Sequence, residues 1–328
     1  MFLCPKCKSK LSGFVPEKCM CRYDIPQING IFQFTNDVPI NLEGENKYIG
    51  YEYIGENFEP VSIYQKTKER YGVYDACSDK LVEVYGTDAV VLDLGAGLGS
   101  ASIPIAKAGA KVIAADISNN MLSEIIKRAN YRYNNLLCVK MNAYHLYLAD
   151  NSIDVVVENA MLHLVDNPEC IIHEICRVLK PNGVLIRYGS PGFQITEEQQ
   201  EVNLYCNEVI NDIKHNYSRA LEELGYEETW LGFDNNYEDT ILKFFEQPYN
   251  IMTSHVEEFT EKMKFRLHRL QTKAQSGLQH IPDNIHIQAW NSTEAYAIQK
   301  YGNDFRNIPS YLKYGAALDV YKVKTLTR

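Results

Sequence analysis

The chain has 328 residues, 45% of them hydrophobic, and carries 33 Lys+Arg against 42 Asp+Glu for a net charge of -9. That length can hold one full α/β domain plus two smaller pieces, and the acidic balance opposes binding to a phosphate backbone. No apolar run reaches the ~18 residues of a membrane span, and cysteines and lysines stand where a secretory leader needs an apolar segment, so the expected compartment is the cytoplasm.

At the amino end, Cys4-Pro5-Lys6-Cys7 and Cys19-Met20-Cys21 place two thiolate pairs on short knuckles, as in a small zinc ribbon. Four thiolates suit tetrahedral zinc in a closed structural site. The second pair is one residue tighter than the common gap, which leaves free, metal-free thiols as the alternative. A module of some forty residues buries too little apolar surface to be stable without a staple. Tyr23 to Ile31 alternates around a turn and predicts a strand pair closing the module. Residues 1–22 are locally basic, with Lys6, Lys8, Lys10, Lys18 and Arg22 against Glu17; such a patch is more often a solvated face than an RNA footprint. The remaining cysteines, Cys77, Cys138, Cys170, Cys176 and Cys206, have no paired spacing and fit reduced thiols.

A polar linker, Thr35 to Asn46, follows. Next comes a tyrosine-rich stretch to Tyr85, with Tyr64, Tyr71 and Tyr74 offering either ordinary packing or a grip on a ligand. Val90-Val91-Leu92-Asp93-Leu94-Gly95-Ala96-Gly97-Leu98-Gly99 breaks a buried-strand pattern into alternating glycines, where the backbone can turn sharply and approach a ligand. The helix predicted from Ser100 to Ala108 aims its amino-terminal amides at that ligand. Lys111 to Asp116 is a second strand ending in a carboxylate suited to both hydroxyls of a ribose. Asp116 also has the place of a helix N-terminal residue before Ile117-Ser118-Asn119-Asn120.

Ser152 to Ala160 is a third strand. A helix from Ile171 to Leu179 has an apolar face made by Ile171, Ile172, Ile175, Val178 and Leu179, and Val184 to Ile186 is a fourth strand. Gly225 to Phe233 has the pattern of a further strand, and Ala316 to Val323 that of the last. Between them some eighty residues predict helices. Phe259, Met263, Leu267 and Leu270 recur at helical spacing beside a stripe of Lys262, Arg266, Arg269 and Lys273, either a solvated face or an anion contact.

From Val90 to Pro191 the chain resembles the S-adenosylmethionine-dependent methyltransferases with a Rossmann-like fold. The glycine loop from Asp93 to Gly99 matches that family's first motif, and Ala115-Asp116-Ile117-Ser118 its acidic turn. Ile153 to His163 matches the fourth motif, and Glu174 to Gly183 the helix-to-strand junction of the small-molecule branch. The resemblance implies that Gly95, Ala96 and Gly97 lie against the methionine part of the cofactor, with Asp93 near its amino group and Asp116 and Ile117 at the ribose. It places Asn142 and Ala143 at the adenine, Asn142 standing where the family has a carboxylate. Glu158 and Tyr71 complete the implied cofactor contacts. His163 is the nearest candidate for a catalytic base, or else a packed wall residue. The knuckle module followed by this domain also resembles the methyltransferases acting on N1 of a guanine in ribosomal RNA.

The expected architecture is therefore α/β: a mostly parallel Rossmann-like sheet with an antiparallel last strand, an amino-terminal zinc ribbon and a helical cap. The expected segments are a ribbon at 1–40, a linker and helical lid at 41–86 and the S-adenosylmethionine-binding core at 87–233. A helical cap follows at 234–313, and the last strand and tail at 314–328. Phe244, Phe245, Tyr249, Trp290 and Tyr296 are candidates to line the cap. The expected activity is methyl transfer to a small metabolite, with zinc held by Cys4, Cys7, Cys19 and Cys21. An RNA base methyltransferase and a non-catalytic cofactor-binding scaffold are the alternatives.

Overall fold

The computed structural model describes residues 1–37, 71–159, 161–228, 237–273, 276–278 and 280–324. Its centre is a nine-stranded sheet. In chain order the strands are β1 (Gln27–Ile28), β2 (Ile31–Gln33), β3 (Val90–Leu94), β4 (Lys111–Asp116), β5 (Leu136–Lys140), β6 (Ile153–Glu158), β7 (Leu179–Gly189), β8 (Tyr249–Lys262) and β9 (Pro309–Lys322). Across the sheet they lie in the order β1-β2-β5-β4-β3-β6-β7-β9-β8. Pairings from β2 through β7 are parallel, while β9 runs antiparallel to both β7 and β8.

Near-continuous apolar runs form the central strands because both faces are covered. On one side lie α1 (Tyr71–Tyr85) and α2 (Ser102–Ala108), over a core that includes Val91, Val155, Val157 and Ile186. The opposite side holds α4 (Pro168–Val178) and α6 (Tyr237–Phe244), over Leu92, Val156 and Leu185. Between β4 and β5, α3 (Asn119–Ala129) is capped by Ser118, whose hydroxyl accepts from Met121 N; this is the local device that turns the chain just after Asp116. The face predicted for 171–179 is buried as α4, except that Leu179 already opens β7.

The amino-terminal module is not a separate bead. Its β2 extends the sheet beside β5, pairing Phe32 with Val139 and Gln33 with Lys140. Phe2, Cys4, Leu11, Cys19 and Ile25 share one core with Leu92 and Ile113.

Two elements differ from expectation. Residues 225–228 are not a strand, because α5 (Glu197–Glu223) runs up to them behind a capping box of Thr196 and Gln199; 229–236 lie outside the described residues. The edge strand is instead β8, within the segment expected to be helical. It shows strict alternation of half-buried and exposed residues, and the helix α7 (Met263–Gln271) starts only after it, so Phe259 and Lys262 belong to a strand. Helices do cluster into a unit with its own core, but that core joins α5 to α7 and α8 (Asp283–Tyr301) through residues such as Ile213, Tyr217, Leu267 and Trp290.

Candidate cofactor and metal sites

At the carboxyl edge of the parallel strands, where open α/β sheets bind ligands, the structure gathers the residues singled out by the glycine loop. Gly95 and Gly97 take left-handed φ values of 72° and 51°, which only glycine adopts without strain. The amides of Gly95 and Ala96 both donate to Ala115 O, at 2.9 and 3.0 Å, so the loop is stitched to the end of β4. A Cβ on Gly97 would meet nothing closer than 3.9 Å, which leaves an open cradle over the backbone. Over Gly95, by contrast, lies Met161, whose Cγ would be 2.6 Å from an added Cβ.

Asp116 is 8% exposed. Its Oδ2 accepts from Gly97 N at 2.8 Å and its Oδ1 from Ser118 N at 2.9 Å, so one carboxylate fixes both the glycine loop and the start of α3. Ile117 beside it is half-buried. Asp93, 3% exposed, accepts from the Ser102 hydroxyl. Burial, aided by the charges of Asp116 and Glu158 and opposed by Ser102, pushes its carboxyl up to about 6. Tyr74 and Tyr188 border this pocket with ring centroids 5.6 Å apart, and burial beside Asp93 raises the pKa of both. Tyr71 is the first residue of α1, and its side chain lies outside the described set, as does Tyr64.

Glu158 is fully buried. Its Oε1 accepts from Met161 N and Leu162 N at 2.7 and 3.1 Å. Its Oε2 lies 3.2 Å from Arg187 Nε, close enough to attract yet not aligned as a hydrogen bond: both atoms, with Asn159 Nδ2, are buried without a hydrogen-bond partner among the described residues. Such orphans are uncommon in native interiors and call for a physical account. The rest of the Arg187 guanidinium is committed, Nη1 to Glu238 Oε2 at 2.7 Å and Nη2 to Tyr237 OH at 2.9 Å. Tyr321 OH donates to the other Glu238 oxygen at 2.7 Å. His163 sits in the 3-10 turn Leu162–Leu164, its ring centroid 6.4 Å from that of Tyr237. Burial holds its pKa below the ordinary value, with Arg187 adding to the effect and Glu158 opposing it, so the imidazole is neutral at pH 7. The Arg187–Glu238–Tyr237 cluster escaped the sequence reading because its members lie about fifty residues apart.

Asn142 does not present a free amide. Its Oδ1 accepts from Tyr144 N at 3.0 Å, and its Nδ2 donates to Asp37 at 2.9 Å; Ala143 is half-buried beside it. The aromatics considered for the cap are occupied elsewhere. Phe245 is buried against Tyr321, Phe244 packs edge-on to His173, and Trp290 lies in the cap's own core. Tyr249 is 44% exposed, and Tyr296 donates to Asp212. Of the basic stripe, Arg266 donates to Asn207 on α5 and Lys273 pairs with Asp283 on α8, so both side chains are engaged within the helical unit.

The four amino-terminal cysteines do converge. Their sulfurs all lie within 4.8 Å of one another, with Cys4 and Cys21 at 3.7 Å and Cys7 and Cys19 at 3.4 Å. A tetrahedron with Zn–S bonds of about 2.3 Å has S···S edges of about 3.8 Å, so the short second gap does not prevent closure. Lys8 and Arg22, at φ 61° and 66°, provide the left-handed turns that fold each knuckle back.

Residues 92–187 match the family model for a methyltransferase domain. A demethylmenaquinone methyltransferase of Clavibacter sepedonicus is 34% identical over 142 residues, 40% of this chain and 56% of the relative. A malonyl-[acyl-carrier protein] O-methyltransferase of Xylella fastidiosa is 36% identical over 99 residues, 30% of this chain and 33% of that protein. The chain thus spans about half or less of the length of these relatives. Among solved structures, a SAM-dependent methyltransferase from Aquifex aeolicus is similar at 22% identity with a TM-score of 0.35, over 46% of this chain and 87% of that one. Residues 92–187 thus match a methyltransferase domain and lie within a mostly parallel α/β sheet. Among the described residues no helix is long and apolar enough to cross a membrane.

Proposed function

We propose that this protein transfers a methyl group from S-adenosylmethionine to a small cytoplasmic metabolite. The observation that carries the reading is the open cradle over Gly97 flanked by three buried carboxylates, Asp93, Asp116 and Glu158. Among the described groups facing them, Arg187 is the partner cation of Glu158. Buried carboxylates gathered at one pocket favour a cationic ligand. Named relatives acting on a quinone precursor and on an acyl-carrier-bound acid support a small acceptor, and the net charge of -9 does not favour RNA.

When bound, the cofactor supplies a methyl group already activated on a positively charged sulfur. This chain's residues then have little chemistry to perform beyond alignment and exclusion of water. Asp116 and Ile117 would hold the ribose, and Gly97 with Ala96 would bring open backbone against the methionine part, Gly95 shaping the turn beneath Met161. Asp93 would accept from the amino group. Tyr74, Tyr188 and Tyr237 provide apolar walls with polar tips. A hydroxyl or ammonium acceptor must shed a proton, and the neutral His163 ring is able to take it. The four converging thiols support a structural zinc in the amino-terminal module, where it would tie together chain that holds little core of its own.

The test is transfer of a labelled methyl group from S-adenosylmethionine into a native cell extract separated into small-molecule, protein and RNA fractions. Label in the small-molecule fraction is the expected result, and label in RNA overturns the choice of acceptor class. Elemental analysis should give about one zinc per chain; much less after gentle purification removes the metal assignment.

A further inference from the structure

The amino-terminal module reaches the same sheet edge as the glycine loop. Because β2 runs parallel to β5, and Phe34 N donates to Lys140 O at 3.0 Å, the chain leaving the module rises beside the carboxyl end of β5. Gln33, 8% exposed, donates through Nε2 to Asn119 Oδ1 at 3.0 Å, which fastens it to the turn that follows Asp116. Four residues further on, the exposed carboxylate of Asp37 takes Nδ2 of Asn142 at 2.9 Å. Asn142 Oδ1 is already engaged by Tyr144 N. On this rim Asn142 has one N–H on Asp37 and its oxygen turned to the Tyr144 amide, whereas Asp37 presents an exposed, acceptor-only carboxylate.

Resting on the cofactor reading above, we propose that Asp37 is a cofactor-binding residue, accepting the exocyclic amino group of the adenine, so that the amino-terminal module forms one wall of the nucleoside subsite. Its position supports this, since β2 lies beside β5, the strand that separates it from β4 and Asp116, and Asp37 meets Asn142 just beyond the end of β5. Hydrogen bonds from Asn142 and Thr35 hold the Asp37 carboxyl below its ordinary pKa, which keeps the acceptor ionised. Asn142 acts here as a positioning residue, orienting the carboxylate rather than meeting the base.

Calorimetric titration of the full-length protein with S-adenosylhomocysteine, and with its inosine counterpart in which an oxo group replaces the amino group, tests the assignment. The wild type is expected to bind the adenine form at least about tenfold more tightly, the scale of one hydrogen bond to a charged acceptor. Asp37→Ala should lose that preference by weakening the adenine form alone. Asp37 is exposed, so an unchanged melting temperature accompanies the expected result. If the variant keeps the wild-type preference, Asp37 is not the acceptor and the cofactor reading stands. If the wild type binds neither compound, the cofactor reading falls and this assignment with it.

Discussion

Asp93 and Asp116 are buried carboxylates with opposite economies. Asp116 accepts a backbone amide at each oxygen, while Asp93 has the Ser102 hydroxyl and a carboxyl displaced to about 6 by burial and by its acidic neighbours. A folded-state value above the unfolded one means that the native protein holds the proton more tightly. Asp93 ionisation therefore costs stability as pH rises from about 4, the unfolded value, to about 6. A cationic ligand favours the ionised form, so its binding has the opposite slope. Affinity for S-adenosylmethionine is expected to strengthen from pH 5 to 7 and then level, and Asp93→Asn should flatten that profile; a wild-type affinity independent of pH over this range would show that Asp93 does not face the ligand charge. Asp116→Ala removes the acceptors of two amides and should cost about 2 kcal/mol in urea unfolding, besides weakening cofactor binding at least tenfold. Undiminished affinity in a titration of the folded variant would reject the ribose role.

Element by element, legibility followed the range of the interactions that shape each piece. The glycine loop and the Asp116 turn were plain because their constraints, left-handed glycines and a Ser118 cap, act within a few residues. β8 was not, since its half-buried positions include Thr253, His255, Glu257 and Glu261, which hide a two-residue alternation, while Phe259 happens to fall in step with the real helix that begins at Met263. The placement of α6 was equally hidden, because Arg187 on β7 and Tyr321 on β9 fix its first turn through Tyr237 and Glu238. Arg187 also stands against the fully buried Glu158. Arg187→Met would strand that carboxylate without a counter-charge, an effect of about 3 kcal/mol or more. Adding Glu158→Gln should recover most of the loss in denaturant unfolding, whereas simple additivity of the two changes would mean that the pair is not coupled.

In the molecule as a whole, the cysteine module and the central sheet share one interior. Cys4 and Cys19 are buried in the same core as Leu92 and Ile113, and Phe2 stacks on Phe34 with centroids 5.0 Å apart. Backbone bonds continue the joint, with Leu3 N donating to Tyr147 O and Ala149 N to Met1 O, each at 2.8 Å. The module's convergence was legible in the cysteine spacing, but its union with the sheet was not, since contacts such as Asp37 with Asn142 span 105 residues. A staple inside a shared core acts on the cooperative unit rather than on a detachable bead. Removing the proposed zinc with a chelator, or replacing Cys4 by Ser, is therefore expected to lower the melting temperature of the entire chain by at least about 5 °C in one transition. The nucleoside end of the site should loosen with it, because β2 carries Gln33 and leads directly to Asp37. S-adenosylhomocysteine affinity should then fall in the metal-free protein while the far-ultraviolet circular dichroism of the folded sheet is retained. Two separate melting transitions, the later one unmoved by the chelator, would instead mean that the module and the sheet unfold independently despite their common core.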